Sequence, residues 1–546
     1  MIDFSKKFNT IREVIEYSTD YYKEKIAYQV KLGENEYNNI TFEQVKKDVV
    51  ALSESFIAMG YKGKRIGVIG INSYEWIITY YAAVCIGSVI VPFDRALMAD
   101  EVVSLVSRSD ISALVYSKDC ESKVENLSDI RLISISDNGE NSFYHILDKG
   151  HQLVAGGSCE YDKVVIDPDE LSVLIFTSGT TSASKAVMLS QRNIASNTTD
   201  LTFAEDFSMV DVNLALLPLH HTFGMGATLL FLRLGIKTVF CEGLKVAKAL
   251  NEYKVSVLVG VPLIVESMYR QIIRTAKKQG MYKKLQLGLK VSNLLMKFKI
   301  DIRRKLFSSI HSQLGGSLNL IIVGAAALHP DLTKFFNGIG ITTVQGYGLS
   351  ETSPVVSAEK VGYMSPGSVG IPMKSVDIKI DNPDENGIGE ILVKGPNVMM
   401  GYYNEPALTQ EVFKDEYFCT GDLGRIDKKG LLYITGRKKD VIVLQNGKNV
   451  FPEELEQLVN VTPYVLESLV FCEDDDSLSV NVVYDKSYFK EDDNIYGIIE
   501  KDVEKINSQL ISYKRLKKIY ITDEPMIKTT TAKIKRKENV EKIKSM

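Results

Sequence analysis

Cysteine is scarce in this chain, and what there is lies scattered. Cys85, Cys120, Cys159, Cys241, Cys419 and Cys472 form no CxxC pair and stand at no histidine spacing that suits zinc. A disulfide framework and a zinc finger are thereby excluded, and a reducing compartment is expected. An excess of one charge is missing too: the formal net charge is −4 over 546 residues. No global field draws the chain to nucleic acid, so an anionic ligand must be held by local cations. Uninterrupted apolar runs are absent once the breakers are read. The stretch 76–93 contains Tyr80, Tyr81, Gly87 and Pro92, which predicts a helix over Tyr74–Cys85 followed by a strand in SVIVPF. The stretch 212–232 is broken by Pro218, His220, His221, Gly224 and Gly226. No membrane-spanning helix is expected from either. The opening MIDFSKKFNT lacks the basic-then-apolar pattern of a secretory leader, and the expected location is the cytoplasm.

What is present is the composition of a globular protein. Apolar residues make up 45% and charged residues 25%, with no low-complexity tract. The length exceeds what one core accommodates, so two or more domains are expected. Between about residues 60 and 350, the runs RIGVIGI, SVIVPF, ALVYS, RLISIS, LSVLIFTS, VSVLVGV and LNLIIVGA alternate with amphipathic stretches. That alternation predicts an α/β fold of mostly parallel sheets covered by helices. After Gly395 the text becomes turn-rich, the polar stretch DKKGLLYITGRKKD (427–440) reads as a boundary, and a smaller α+β unit follows. Its first helix is expected to begin at Pro452 and run through EELEQLV.

The most informative segment is TSGTTSASK (177–185), which follows the apolar strand LSVLIF. A strand leading into hydroxyl- and Gly-rich residues and then Lys supplies what a triphosphate needs: exposed backbone N–H groups, hydroxyl donors and a mobile cation. A Walker A loop does not fit, because Ser184 stands where its second Gly belongs and Ala186 where it needs Ser or Thr.

TSGTTSASKAVMLS resembles the phosphate loop of the adenylate-forming (AMP-binding) superfamily, written TSGTTGxPKGV, and departs from it at Ser182, Ser184 and Ala186. Loss of Gly at 182 and 186 is expected to stiffen the loop or restrict its approach to phosphate. Other segments follow in the family's order: PLHHTFG (218–224), VGAAALHP (323–330), QGYGLSETSP (345–354), TGDLG (420–424), GRKKD (436–440) and IKTTTAKIKR (527–536), the last with Ala532 where the family has Gly. The stretch RRKLFSSIHSQLGGSLNLIIVGAAAL (303–328) and the basic insert before it are most similar to long-chain fatty acyl-CoA synthetases. The resemblance implies a large N-terminal AMP-binding and acyl-binding domain, 1–438, of subdomains with mostly parallel sheets. A small mobile α+β domain, 439–546, would hinge near Lys439.

The resemblance also implies roles. Thr177, Ser178, Gly179, Thr180, Thr181 and Lys185 would hold the ATP phosphates. Gly324, Ala325, Gln345, Gly346, Tyr347 and Gly348 would surround adenine, with Tyr347 stacking on the base. Ser350 would donate to the α-phosphate, Asp422 and Arg437 would bind the ribose region, and Glu351 would hold Mg²⁺. His221 would lie beside the acyl carboxylate, Lys533 would bridge carboxylate and α-phosphate, and Gly447 would line the pantetheine passage. These residue types suit the chemistry, since a carboxylate attacking a phosphate brings anions together and needs fixed cations and donors. ATP, Mg²⁺, a carboxylic acid of medium to long chain and coenzyme A are the implied ligands. A carrier-protein phosphopantetheine as acceptor, an aryl acid as substrate and a non-catalytic nucleotide- or acyl-binding protein remain open.

One further stretch stands out. Residues 270–305 carry twelve Lys/Arg against the single acid Asp301, interleaved with Tyr282, Leu285, Leu289, Leu294, Leu295, Met296 and Phe298. Such a segment predicts either a solvated basic helix pair or peripheral contact with anionic lipid at the inner membrane surface.

Overall fold

The computed structural model describes residues 6–177, 184–204, 206–207, 210–241, 245–361, 363–473, 477–528 and 534–545. The expected strands all form, and they collect into two sheets. Arg65–Ile69, Val89–Phe93, Ala113–Tyr116, Arg131–Ser134 and Leu171–Thr177 pair in parallel, and Lys185–Ser190 and Gly401–Tyr402 extend that sheet antiparallel at one edge. Val89–Phe93 is buried along its whole length, as a β-branched run covered on both faces should be. Val257–Gly260 and Leu320–Val323 belong to the second sheet. It continues in parallel to Thr342–Gly348 on one side and to Val212–Leu214, Lys237–Phe240 and Ile26–Gly33 on the other.

Helices cover these sheets because their first turns are capped and their apolar stripes face inward. Thr41 accepts from Gln44 N–H to open Phe42–Ala58, and Ser73 accepts from Trp76 N–H to open Tyr74–Cys85, the helix read from the sequence. These helices and Phe143–Ala155 bury Phe42, Phe56, Trp76, Tyr80, Tyr81 and Phe143 in one core with the first sheet. Among the described residues no helix is long and apolar enough to cross a membrane.

The polar stretch 427–440 is not simply a boundary. A turn at Asp427 leads into Leu432–Arg437, which pairs with Tyr417–Ile426 in an antiparallel sheet that also holds Asp377–Asp381 and Gly389–Lys394. Its polarity reflects an edge strand and a tight turn, which hydropathy alone cannot tell from a linker. Beyond it, Val465–Cys472, Leu478–Tyr484 and Leu516–Thr522 form a three-stranded sheet. Helices Pro452–Asn460 and Ile495–Asn507 share its core of Leu455, Val459, Val470, Val480, Val482 and Val503. The first of these helices begins at Pro452 as read, where a residue without an N–H loses nothing. Helix Pro262–Lys278 touches this unit: Arg270 donates to Val465 O at 3.1 Å and Lys277 to the Tyr488 hydroxyl at 2.9 Å.

Helices Phe143–Ala155 and Phe42–Ala58 approach each other closely at Gly150. A Cβ on Gly150 would lie 1.9 Å from Ala51 O of the facing helix, so Gly150→Ala must push the two apart. We expect it to lower stability by about 1–3 kcal/mol, the usual cost of overpacking, in urea denaturation followed by circular dichroism. Gly139→Ala, whose Cβ meets only Asp137 Oδ2 at 4.0 Å, is the control and should leave the midpoint unmoved.

Candidate active site

Three sheets bring their ends together where the quoted motifs fall. Thr342–Gly348 runs directly into the turn Ser350–Thr352, so one segment carries Gln345, Gly346, Tyr347, Gly348, Ser350 and Glu351. The Tyr347 hydroxyl donates to Asp422 Oδ2 at 2.8 Å, and Arg437 Nε lies 3.1 Å from Asp422 Oδ1. Asp422 and Arg437 are cross-strand partners in the antiparallel sheet, which is what places guanidinium beside carboxylate. The Asp422 side chain is only 6% exposed. Burial and the adjacent Asp422 carboxylate push the Tyr347 phenol well above its ordinary range, so it stays a donor at neutral pH.

A second chain of contacts comes from the first sheet. Thr177 and Lys185 face each other across the strand pair. Lys185 Nζ lies 5.0 Å from the centre of the Tyr402 ring, and the Tyr402 hydroxyl donates to Glu351 Oε1 at 3.0 Å. Burial, then the Glu351 carboxylate, raise the Tyr402 phenol far above its usual range, again keeping its proton in place. Glu351 therefore has one oxygen oriented by a permanent donor. A carboxylate so held fits Mg²⁺, which takes hard oxygen ligands.

The segment 215–224 is pinned between the sheets. Asn72 donates to Ala215 O and Leu217 O and accepts from Leu219 N–H. His221 stands at the N-terminus of helix Thr222–Leu234, its ring 4.1 Å from that of His220. His220 Nε2 lies 3.5 Å from Asp94 Oδ2, and one ligand-capable atom from each of Asp94, His220 and His221 falls within 4.8 Å of the others. Phe223 packs against Gly324, where a Cβ would meet the ring at 2.9 Å, and so joins this segment to the 324–325 loop.

Other residues of the expected set have more local duties. Gln345 is 4% exposed, and its Oε1 accepts from Leu328 N–H at 2.8 Å, so this side chain ties the 324–328 loop to its strand. Gly348 is demanded by geometry, since a Cβ there would lie 1.8 Å from Pro354 O. Ala186 lies within Lys185–Ser190 opposite Phe176 and is 3% exposed, so the Gly absent at 186 is missing from a strand. Ser184 is held by Arg108, which donates to its hydroxyl at 3.1 Å and its carbonyl at 2.7 Å. Lys439 follows Arg437 in the turn Lys438–Asp440, and Gly447 takes φ +75° in the turn between Ile442–Val443 and Asn449–Val450. Partial desolvation pulls the Lys439 ammonium below its usual range, Asp440 opposing and Arg437 and Lys185 adding to the effect. Burial raises the Cys419 thiol, in keeping with an inert role. Ser178, Gly179, Thr180, Thr181, Ser182, Ala532 and Lys533 lie outside the described residues.

The motif reading did not include Tyr402, Arg108 or Asp94. Tyr402 reaches Glu351 only because Gly401–Tyr402 pairs with Lys185–Ser190, a long-range pairing with no local signature.

The arrangement defines an α/β protein with Lys185, Glu351, Asp422, Arg437 and Lys439 gathered at its strand ends, a charge pattern suited to a phosphate-bearing ligand. Comparison with known proteins supplies the family. The AMP-binding enzyme model matches residues 15–403, and the AMP-binding enzyme C-terminal domain matches 439–545. The chain belongs to the AMP-binding enzyme family. It is 28% identical over 566 residues to long-chain-fatty-acid–CoA ligase 5 of Rattus norvegicus, covering 92% of this chain and 82% of that one. It is 26% identical over 601 residues to the chloroplastic long-chain-fatty-acid–[acyl-carrier-protein] ligase AEE15 of Arabidopsis thaliana, with the same coverage. The ATP-bound structure of MatB from Rhodopseudomonas palustris shares the fold, with a TM-score of 0.75 at 23% identity over 97% of this chain and 98% of that one.

Two tests follow from the geometry. Ala325 is held at φ +68°, a conformation that costs a residue with a Cβ about 1–2 kcal/mol. Ala325→Gly should therefore raise stability by about 0.5–1 kcal/mol after the greater chain entropy of Gly is set against that relief, read as a higher thermal midpoint. Tyr402→Phe keeps the ring beside Lys185 and removes the hydroxyl from Glu351. Calorimetry should find ATP binding weakened about tenfold with Mg²⁺, as for loss of a hydrogen bond to a charged group, and unchanged without it. Tyr402→Leu should weaken both.

Proposed function

We propose that this chain activates a medium- to long-chain fatty acid in two steps and passes it to coenzyme A. A carboxylate oxygen attacks the α-phosphorus of ATP, and pyrophosphate leaves with the bonding pair. The thiol then loses its proton, its sulfur attacks the acyl carbon, and AMP departs. The chain is thus an AMP-forming acid–thiol ligase. The observation that carries this reading is the convergence of Lys185 and Glu351 through Tyr402, and of Asp422 and Arg437 through Tyr347, in a chain that belongs to the AMP-binding family.

In this reading Thr177 to Thr181 and Lys185 cradle the phosphates, and Glu351 and Ser350 face the α-phosphate side, Glu351 with Mg²⁺. Gly324, Ala325, Gln345, Gly346, Tyr347 and Gly348 enclose the base. The ion pair of Arg437 with Asp422 presents that carboxylate to the ribose hydroxyls. Mg²⁺ supplies charge neutralisation for the departing pyrophosphate. His221 stands beside the acyl carboxylate, and Lys533 closes on the α-phosphate during the first step. Residues 439–546 then turn about Lys439 and bring Gly447 to the pantetheine passage. Cytoplasmic placement with peripheral membrane contact belongs to the same reading, because long-chain acids are dissolved in lipid. A carrier-protein phosphopantetheine is the second reading of the acceptor, favoured by the similarity to the acyl-carrier-protein ligase.

The two lysines provide the test. Lys533→Ala should suppress acid-dependent ATP–pyrophosphate exchange by roughly 3–4 kcal/mol of transition-state stabilisation, the usual loss on removing a fixed oxyanion donor. Given prepared acyl-adenylate, the same variant should form thioester at a near-native rate. Lys439→Pro fixes φ in the turn and should do the reverse, letting acyl-adenylate accumulate while thioester output falls. Equal slowing of both halves by Lys533→Ala in a folded protein would refute the alternation. ATP binding without acid-dependent exchange in the wild type would instead support a non-catalytic protein.

A further inference from the structure

The basic segment 270–305 divides in the structure into two surfaces with different uses. On helix Pro262–Lys278 three of the four cations are engaged within the molecule. Arg270 donates to Val465 O, Arg274 to Ser487 O at 3.3 Å, and Lys277 to the Tyr488 hydroxyl. Arg303 pairs with Asp301 and donates to Asn337 O, and Arg304 donates to Gly316 O and Leu318 O. None of these is available to an external partner without giving up an internal contact.

Helix Tyr282–Lys297 is different. Its inner face is anchored: Leu285 joins the core of the second sheet, Leu289 meets Gly338, and the Ser292 hydroxyl donates to Gly338 O at 3.1 Å. On the opposite side Leu287, Val291, Leu294 and Phe298 are 62%, 41%, 55% and 70% exposed. The spacing i, i+4, i+7, i+11 puts all four in one stripe along the helix. At 3.6 residues per turn Lys283, Lys290 and Lys297 flank the stripe on one side and Lys284 on the other. All four lysines are exposed, none makes an ion pair among the described residues, and no acid occurs between Lys278 and Ile300.

We propose that this face is the surface by which the protein docks on an anionic lipid bilayer, with Leu287, Val291, Leu294 and Phe298 entering the headgroup–acyl boundary and the lysines resting on lipid phosphates. Apolar side chains framed by unpaired cations match such a surface in both chemistries at once. They do not match a second copy of the chain. A two-fold contact would set this face against itself, lysine against lysine, with no carboxylate in the segment to compensate. For its purpose, delivery of an acid dissolved in lipid, the inference rests on the proposed function. The contact itself can be tested apart from catalysis.

The experiment is co-sedimentation of the full chain, without ATP or acid, with vesicles of phosphatidylcholine alone or with about one third phosphatidylglycerol, an anionic composition. Binding is expected to the anionic vesicles only, and to fall with added salt. Since each lysine near such a surface is worth about fivefold in partitioning, Lys283→Glu, Lys284→Glu, Lys290→Glu and Lys297→Glu together should weaken it by more than about a hundredfold. Leu287→Ser, Leu294→Ser and Phe298→Ser together should also release the protein from anionic vesicles, which separates insertion from simple charge attraction. Both sets lie on an exposed face outside the proposed site, so their circular dichroism, thermal midpoint and pyrophosphate exchange with a short, water-soluble acid should equal wild type. Sedimentation unaffected by either set would overturn the proposal. So would equal binding to neutral vesicles. A wild-type dimer in light scattering that the serine variant converts to monomer, without vesicle binding by either, would assign the face to self-association and overturn it too. Failure of exchange in the wild type, with vesicle binding intact, would count against the proposed function alone.

Discussion

The site depends first on one buried carboxylate. Asp422 cannot remain ionised in its enclosure without partners, because an uncompensated buried charge costs several kcal/mol. Its partners include the Tyr347 hydroxyl at 2.8 Å and Arg437 Nε at 3.1 Å. They come from different sheets. Tyr347 ends a strand of the nine-stranded sheet, and Arg437 ends the edge strand of the antiparallel one. Satisfying this one charge therefore fixes how the two sheets meet, and it does so two residues before Lys439, the residue we assign to the hinge.

The first sheet is brought to the same place by softer contacts. Lys185 rests beside the Tyr402 ring, and the Tyr402 hydroxyl grips Glu351. An ammonium and a carboxylate are thereby linked through one neutral side chain. Each charge is positioned by Tyr402, and each retains capacity for a ligand. An ammonium of lowered basicity at Lys439 adds to the positive lining. A triphosphate is the kind of anion that Lys185, Arg437 and Lys439 suit, in a chain whose net charge of −4 offers it no global attraction.

The basic segment shows how the same residue type serves opposite ends. Arg270, Arg274 and Lys277 are consumed in holding the C-terminal unit against the large one, with backbone carbonyls and hydroxyls as acceptors. Lys283, Lys284, Lys290 and Lys297, one helix later, face solvent beside an apolar stripe. Composition alone treats all twelve cations alike, and only the packing of the two helices separates latch from surface.

Much of the fold was legible in the sequence, because strands buried on both faces must be continuous apolar runs and capped helices must announce their starts. The helix Tyr74–Cys85, the strand Val89–Phe93 and the start at Pro452 follow from such local rules. The motif residues were legible as well, since TSGTT, QGYGLSE, TGDLG and GRKKD each stand in one short segment whose side-chain types suit phosphate and ribose. Tertiary structure alone decided which of these segments meet. Tyr402 became a site residue through a two-residue edge strand, and the polar stretch at 427–437 became a strand through its pairing with Tyr417–Ile426. Gln345 spends its amide on Leu328, and Asp94 lies beside His220 across well over a hundred residues of chain. Contacts of that kind arise when non-local strands close on one another, and the loop closure that brings them together leaves no periodic trace in the residues it joins.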